Sequence, residues 1–223
     1  IVNSSFWDSK NKIEYSMNDS ATRYNPYYYL GEPIWITAQR QGVKTGNVYW
    51  VGSDIAIKST YPTYYRNWSN KPRLDFAQRV DDAIRLLSLP KAKRPHFVMV
   101  YFDEPDHTGH VYGPHGKETK QMITSMDSLM GIFWQKIQGL PIGKKVNLII
   151  TADHGMTDIS DSRLVKIGKY IKKEWCNHII GTNPTSIFTK PAYRDSVLNA
   201  LKGVEHIYVW KKEAIPDSLH YGK

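Results

Sequence analysis

Four side chains of two kinds, Asp106, His110, Asp153 and His154, sit in two short stretches, each directly after a run of apolar residues. Aspartate and histidine are the ligands expected of zinc or a similar divalent ion. Four of them from two segments exceed what a mononuclear site with an open position needs, so two metals side by side are expected. In two-metal sites the ions stand about 4 Å apart, with Asp106 and His110 on one and Asp153 and His154 on the other. Each stretch alone has a plainer reading, because an aspartate after a strand is often a helix N-cap and a lone histidine a satisfied structural residue. The repetition of the pattern favours metal. His107, adjacent to Asp106, should project elsewhere and is not expected to be a ligand.

The elements that must carry these residues can be read from the runs before them. Val98–His110 (VMVYFDEPDHTGH) opens as an apolar, β-branched and aromatic run and changes within a few residues to carboxylates and imidazoles. Val146–Thr151 (VNLIIT) leads into Ala152, Asp153, His154 and Gly155 in the same way. Uniformly apolar runs suit parallel strands covered on both faces, and in such sheets ligands sit beyond the carboxyl ends. Both stretches are therefore expected to be buried strands ending in loops that converge.

Along the rest of the chain, the first thirty residues are polar and tyrosine-rich and read as a surface loop. A helix is predicted from Pro33 to Gln41 with Gly42 as its stop, then a strand at Lys44–Trp50. The tyrosines Tyr61, Tyr64 and Tyr65, with Trp68, pack a loop onto the core or stack a base. A helix from Pro72 to Leu89 carries the stripe Ala77, Val80, Ile84 and Leu87, and Lys117–Gly139 carries Met122, Met126, Leu129, Phe133 and Ile137, whose methionines read as core filling. A strand at Ser186–Thr189, a helix at Tyr193–Leu201 and a strand at His206–Trp210 complete an alternation that argues one α/β domain over 1–223, layered around a mostly parallel sheet.

With 223 residues, 41% of them hydrophobic, the chain can bury a sizeable core. The formal charge of +9 favours acidic partners, but the lysines lie in scattered groups (Lys144 and Lys145, Lys166 to Lys173, Lys211 and Lys212) that read as solvated faces. Nucleic acid is not expected as a specific partner. The single Cys176 excludes an internal disulfide and a thiolate metal site. No apolar stretch reaches the length of a membrane span, and the first residues lack a signal-peptide pattern. Asn3, Asn18 and Asn67 stand in glycosylation sequons.

The run Glu104, Pro105, Asp106, His107, Thr108, Gly109, His110, then Tyr112, Gly113 and Pro114, and later Ala152–Met156 (ADHGM), resembles the nucleotide pyrophosphatase/phosphodiesterase family of the alkaline phosphatase superfamily. Gly31–Trp35 (GEPIW), Trp50–Asp54 (WVGSD), Tyr61 with Pro62, and Arg94–Phe97 (RPHF) are similar to family segments in the same order. The likeness weakens after Cys176. It implies an alkaline-phosphatase-like three-layer α/β/α sandwich, incomplete at both ends, and a two-zinc hydrolase located outside the cytoplasm. The implied substrate is a small nucleotide or other phosphodiester, attacked in line by a threonine. By position, Asp106 and His110 resemble two ligands of one zinc, and Asp153 and His154 two of the other.

The resemblance also implies what this chain does not carry. The family's nucleophilic threonine and first aspartate ligand match sequence upstream of Ile1, and its last zinc-binding histidine matches sequence beyond Lys223, so the chain alone is expected to be inactive. Ser4 stands where the family has a phosphate-contacting asparagine. Trp68 and Tyr101 match its base-stacking aromatics, with Trp50 and Asp54 as a pocket wall. Two alternatives stay open: a lipid or choline phosphodiesterase of the same superfamily, in which aromatics would cage a cation, and a binding remnant without activity.

Overall fold

The computed structural model describes residues 4–181 and 184–221. The chain divides into two compact units, Tyr24–Asp158 and a unit built from Ile1–Arg23 with Ile159–Lys223. The sequon at Asn3 lies outside the described residues.

The first residues are not the expected loop. β1 (Ser5–Asp8) and β2 (Ile13–Ser16) form an antiparallel hairpin, followed by α1 (Ser20–Arg23). Its turn is closed by a side chain: Asp8 Oδ1 accepts the backbone N–H groups of Lys10 and Asn11 at 2.9 and 3.1 Å, the local bonding that favours aspartate in turns. Phe6 stacks on Tyr15 across the pair, with ring centroids 4.7 Å apart. Strands of four residues are too short for their alternation to stand out from the polar sequence around them.

The unit Tyr24–Asp158 is an α/β/α sandwich. α2 (Ile34–Arg40) follows Pro33, and Gly42 leaves the helix at a φ of +79°, where glycine has no steric cost. β3 (Thr45–Val48) is the middle strand of a parallel sheet, between β4 (Tyr64–Tyr65) and β5 (Phe97–Val100). On one face Met99 joins Trp35, Ile36, Ile55 and Ile57. On the other, α3 (Phe76–Leu87) and the long α5 (Lys117–Gln138) set Val80, Ala83, Phe133 and Ile137 against Val98, Val100 and Phe102. Gly46 allows the close approach on this face, since a Cβ there would stand 2.9 Å from Leu86 Cδ1. The short α4 (Asp106–Tyr112) lies between β5 and α5 in sequence.

α3 begins at Phe76 and not at Pro72, because Asp75 and Gln78 form a capping box: Asp75 Oδ1 accepts the Gln78 N–H and Gln78 Oε1 accepts the Asp75 N–H. Its buried face also differs from the expected stripe. Ala77 is exposed, whereas Arg79 and Asp82 are buried with Val80, Ala83 and Leu86. Asp82 is held by Arg66 through two bonds of 2.7 and 2.8 Å and by Arg85 at 2.8 Å. Burial alone would push the Asp82 carboxyl up; the hydrogen bonds from the two arginines outweigh it and leave the group below its ordinary value. A carboxylate held low contributes stability that is full above its unfolded pKa and is lost as pH falls through the folded one. Asp82→Asn is therefore expected to cost about 2 kcal/mol at neutral pH, the scale of a hydrogen bond to a charged group. The gap to the unchanged chain should close below roughly pH 4, as followed by urea denaturation at a series of pH values.

The expected strand at Val146–Thr151 is absent. Val146 and Leu148 do pack inward on the α3–α5 cluster, but Ile149 and Ile150 are 84% and 65% exposed, and this backbone pairs with no strand among the described residues. The apolar content of a strand is present without a neighbour to bond, since among the described residues β5 pairs with β3 alone.

In the other unit, β6 (Cys176–Ile180) pairs with β7 (Ser186–Thr189), the strand expected there but antiparallel. α6 (Arg194–Leu201) packs Val197 and Leu201 on Ile171. His206–Trp210 is not a strand either: Ile207 and Val209 face this core, while Tyr208 and Trp210 stack on each other with centroids 5.7 Å apart.

Candidate functional site

The site residues of the Tyr24–Asp158 unit gather where β5 ends. Tyr101 is the last residue tied to the sheet, its N–H donating to Val48 O at 3.0 Å. Five residues later the chain enters α4, a helix where loop ligands were expected. Glu104 Oε2 accepts the Thr108 N–H at 3.0 Å, so its carboxylate caps the positive end of that helix. Asp106 and His110, one turn apart, share a face, with Asp106 Oδ1 3.4 Å from His110 Nε2. His107 is exposed and turned about 100° from Asp106 around the helix. His107→Asn is accordingly expected to leave zinc stoichiometry unchanged in equilibrium dialysis; loss of an equivalent would make it a ligand.

The second pair comes to the first through a glycine. A Cβ on Gly109 would lie 2.5 Å from Met156 Sδ, so the bare backbone of α4 is what lets the 152–156 segment lie against it. His154 Nε2 is then 4.0 Å from Asp106 Oδ1 and 3.6 Å from Asp153 Oδ2. His154 Nδ1 faces the Gly155 carbonyl at 3.0 Å. A carbonyl only accepts, so Nδ1 carries the proton and Nε2 is free to coordinate. This bond first, then the charges of Asp153 and Asp106, hold the imidazole above its ordinary pKa, with a small opposing effect of burial. Among the described residues no three His, Cys, Asp or Glu side chains form a single preformed metal cluster; the donors converge in pairs.

Tyr101 borders these carboxylates. Burial raises its phenol pKa, the charges of Asp153, Asp103 and Asp106 raise it further, and Arg79 opposes them. Trp68 lies beside it, ring centroids 6.4 Å apart, and meets Tyr49 edge to face at 5.6 Å. The loop that carries Trp68 is fastened at several points. Arg66 grips Asp82 on α3, the Trp68 N–H donates to Asp54 Oδ2 at 3.0 Å, and Ser69 Oγ lies 2.6 Å from the Tyr24 hydroxyl. Asp54 is thus a buried staple for the loop and also accepts from Tyr24 at 3.2 Å. Trp50 packs with the Trp35 and Ile36 cluster on the α2 face. Ser4 belongs to the other unit, where its carbonyl accepts the Met17 N–H at 2.9 Å.

Sequence reasoning missed Tyr49, Arg73, Arg79 and Asp103. Tyr49 is buried at a φ of +59° and its hydroxyl accepts the Leu74 N–H at 3.0 Å. The Arg73 guanidinium lies over the Trp68 ring, 4.2 Å from its centroid. A charged residue within the apolar pattern of α3 was the one available signal for Arg79.

A parallel α/β/α layer with carboxylates and imidazoles gathered near the carboxyl end of β5 puts polar side chains where such sheets bind ligands. The chain belongs to the type I phosphodiesterase / nucleotide pyrophosphatase family, whose description it matches over residues 1–223. It is 34% identical over 171 residues to human ectonucleotide pyrophosphatase/phosphodiesterase family member 1, covering 77% of this chain and 18% of that protein. Venom phosphodiesterase 2 of Crotalus adamanteus is 37% identical over 170 residues, 76% of this chain and 21% of the venom protein. Among solved structures, mouse ectonucleotide pyrophosphatase/phosphodiesterase 5 superposes with a TM-score of 0.89 at 31% identity, over 99% of this chain and 58% of that one. An inactive variant of that mouse protein in complex with AMP matches equally well. The chain thus spans about a fifth of the length of the first two curated relatives. No helix among the described residues is long and apolar enough to cross a membrane.

Proposed function

We propose that this chain supplies the metal-binding and base-binding parts of a hydrolase that cleaves phosphodiester or pyrophosphate bonds of nucleotides. The observation that carries the reading is the meeting of Asp106 and His110 with Asp153 and His154 beside the Trp68–Tyr101 aromatics. The donor set fits zinc. At zinc–nitrogen and zinc–oxygen distances of about 2.0 to 2.2 Å, two donors on a tetrahedral ion stand roughly 3.4 Å apart, and Asp106 Oδ1 to His110 Nε2 is 3.4 Å. Asp106 and His110 would hold one ion, Asp153 and His154 the other. When bound, the pair supplies Lewis acidity for the phosphoryl oxygens and for an attacking hydroxyl.

The chain's own residues do the remaining work that this stretch can do. Trp68 and Tyr101 offer ring faces to a base, Asp54 and Arg66 hold the Trp68 loop still, and the proton on His154 Nδ1 keeps Nε2 aimed at the ligands. By the family resemblance, an attacking threonine and further ligands would complete the site. The same resemblance, and the ectonucleotide and venom enzymes among the relatives, support a location outside the cytoplasm. A choline head group fits less well, because Arg73 already lies over Trp68 and Arg79 stands 5.8 Å from it. Two cations beside the rings repel a third.

The direct test is binding of AMP and of ribose 5-phosphate to the full chain with zinc present, by calorimetry. AMP is expected to bind about tenfold tighter or more, since base–aromatic stacking is worth roughly 1 to 3 kcal/mol. Equal affinities would overturn the nucleotide reading.

A further inference from the structure

Arg79 is 4% exposed at the end of the sheet and is bonded there in three directions. Its Nη1 donates to the Tyr101 carbonyl at 2.9 Å and to Asp103 Oδ1 at 2.7 Å, and its Nε donates to the Leu74 carbonyl at 3.2 Å. Its guanidinium carbon stands 5.0 Å from the Tyr49 ring, 4.8 Å from Phe76 and 5.8 Å from Trp68. We infer that Arg79 is the positioning residue that sets the base platform, acting through Tyr101 and Trp68 without touching substrate. This rests on the nucleotide reading above and adds the part of the molecule that enforces it.

The argument begins with the backbone. The β3–β5 ladder ends at Tyr101, whose N–H still reaches Val48. Its carbonyl has no further strand residue to bond, and a buried carbonyl without a partner is costly. Arg79 supplies the donor. The two peptide groups that flank the Tyr101 Cα are therefore both held, the preceding one by the sheet and the following one by α3, and the direction in which its ring leaves the strand is set.

The same guanidinium fills the space behind the aromatics. Tyr49 meets Trp68 edge to face, and Arg79 stacks against Tyr49 and Phe76 on the inner side. Arg73 lies over Trp68 at 4.2 Å. Trp68 is thus backed by rings and by positive charge. A lysine could keep the charge but not the planar fork that serves two carbonyls and a carboxylate at once.

Asp103 gives Arg79 a second effect on the site. It is the carboxylate that stands between Tyr101 and Asp106 in sequence, and its side chain is 42% exposed. Paired with Arg79, it is compensated and kept on the α3 side of the strand end, while Asp106 faces the imidazoles of His110 and His154. Without Arg79 an unpaired carboxylate would stand beside the place where a phosphate binds.

The test compares AMP with ribose 5-phosphate on Arg79→Lys, Arg79→Gln and Asp103→Asn in the full chain with zinc present, with circular dichroism to confirm folding. Arg79→Lys is expected to weaken AMP binding about tenfold and ribose 5-phosphate binding less than about threefold, so that the preference for AMP collapses. Arg79→Gln should weaken both ligands, AMP the more. Asp103→Asn keeps an oxygen for Arg79 and should preserve the preference. If unmodified protein prefers AMP and Arg79→Lys keeps that preference, the role assigned to Arg79 is wrong while the nucleotide reading stands. No preference in the unmodified protein would remove the nucleotide reading and this inference together. Failure of both Arg79 variants to fold would make Arg79 a purely structural residue and would also overturn the proposal.

Discussion

Replacing Asp106 with alanine is expected to cost the site at least one zinc equivalent and to weaken the other. Its Oδ1 stands near both imidazoles, 3.4 Å from His110 Nε2 and 4.0 Å from His154 Nε2. Changes to groups that only orient metal ligands already lower affinity roughly 10- to 100-fold, so loss of a ligand itself should exceed that. The fold should tolerate the change. Asp106 is exposed and contributes to α4 mainly as a negative charge in the first turn, a favourable effect of about 0.3 to 1 kcal/mol. Equilibrium dialysis against zinc, with Asp153→Ala alongside, separates the contributions. Asp153 bonds His154 but is the more peripheral carboxylate, so its loss should remove one equivalent and leave the Asp106–His110 pair. Zinc bound equally by Asp106→Ala and the unmodified chain would end the metal reading of this site.

Much of this arrangement could be read before any coordinates, for identifiable reasons. Phe97–Val100 (FVMV) is apolar without interruption, as a strand covered on both faces requires, and β5 is found there. The α5 stripe from Met122 to Ile137 recurs at helical spacing over about four turns, enough for a period to dominate noise. Val146–Thr151 is also rich in apolar, β-branched residues yet is no strand, because composition reports what a segment can bury and pairing depends on a neighbour. The hairpin Ser5–Ser16 was hidden for the opposite reason: it is stabilised by one aspartate side chain and one aromatic stack, each a single residue deep in sequence. At the site, the sequence marked Asp106, His110, Asp153 and His154 because the same two residue types recur after two apolar runs, and the structure brings Asp106 near both His110 and His154. Arg79 and Asp103 were not marked, because a charge on the edge of an apolar stripe normally marks solvent. Only the structure reveals that this edge is covered by Tyr49, Phe76 and the end of β5. Ser4 illustrates a different limit, since matching a motif position says nothing about which compact unit the residue joins.

Trp68→Ala is expected to raise KM and lower kcat/KM for nucleotide diesters about tenfold or somewhat more in the full-length protein, from the loss of roughly 1 to 3 kcal/mol of stacking. The ring is half-buried, with Arg73 over one face, so a planar cation already occupies a position that a planar base could share or take. Truncation should not collapse the loop, because its fastening is elsewhere: the Trp68 N–H on Asp54, Arg66 on Asp82, and Ser69 on Tyr24 are all untouched. A small aryl phosphate diester without a base provides the control. It meets the same metal donors and the same nucleophile, so its kcat/KM should change by much less than that of the nucleotide substrate. The difference between the two substrates, and not the absolute loss, is the quantity that reports stacking. Equal losses on both would mean that Trp68 supports the loop's shape alone. The aromatics would then be a wall and not a platform, and the preference for a base would have to come from residues beyond Trp68 and Tyr101.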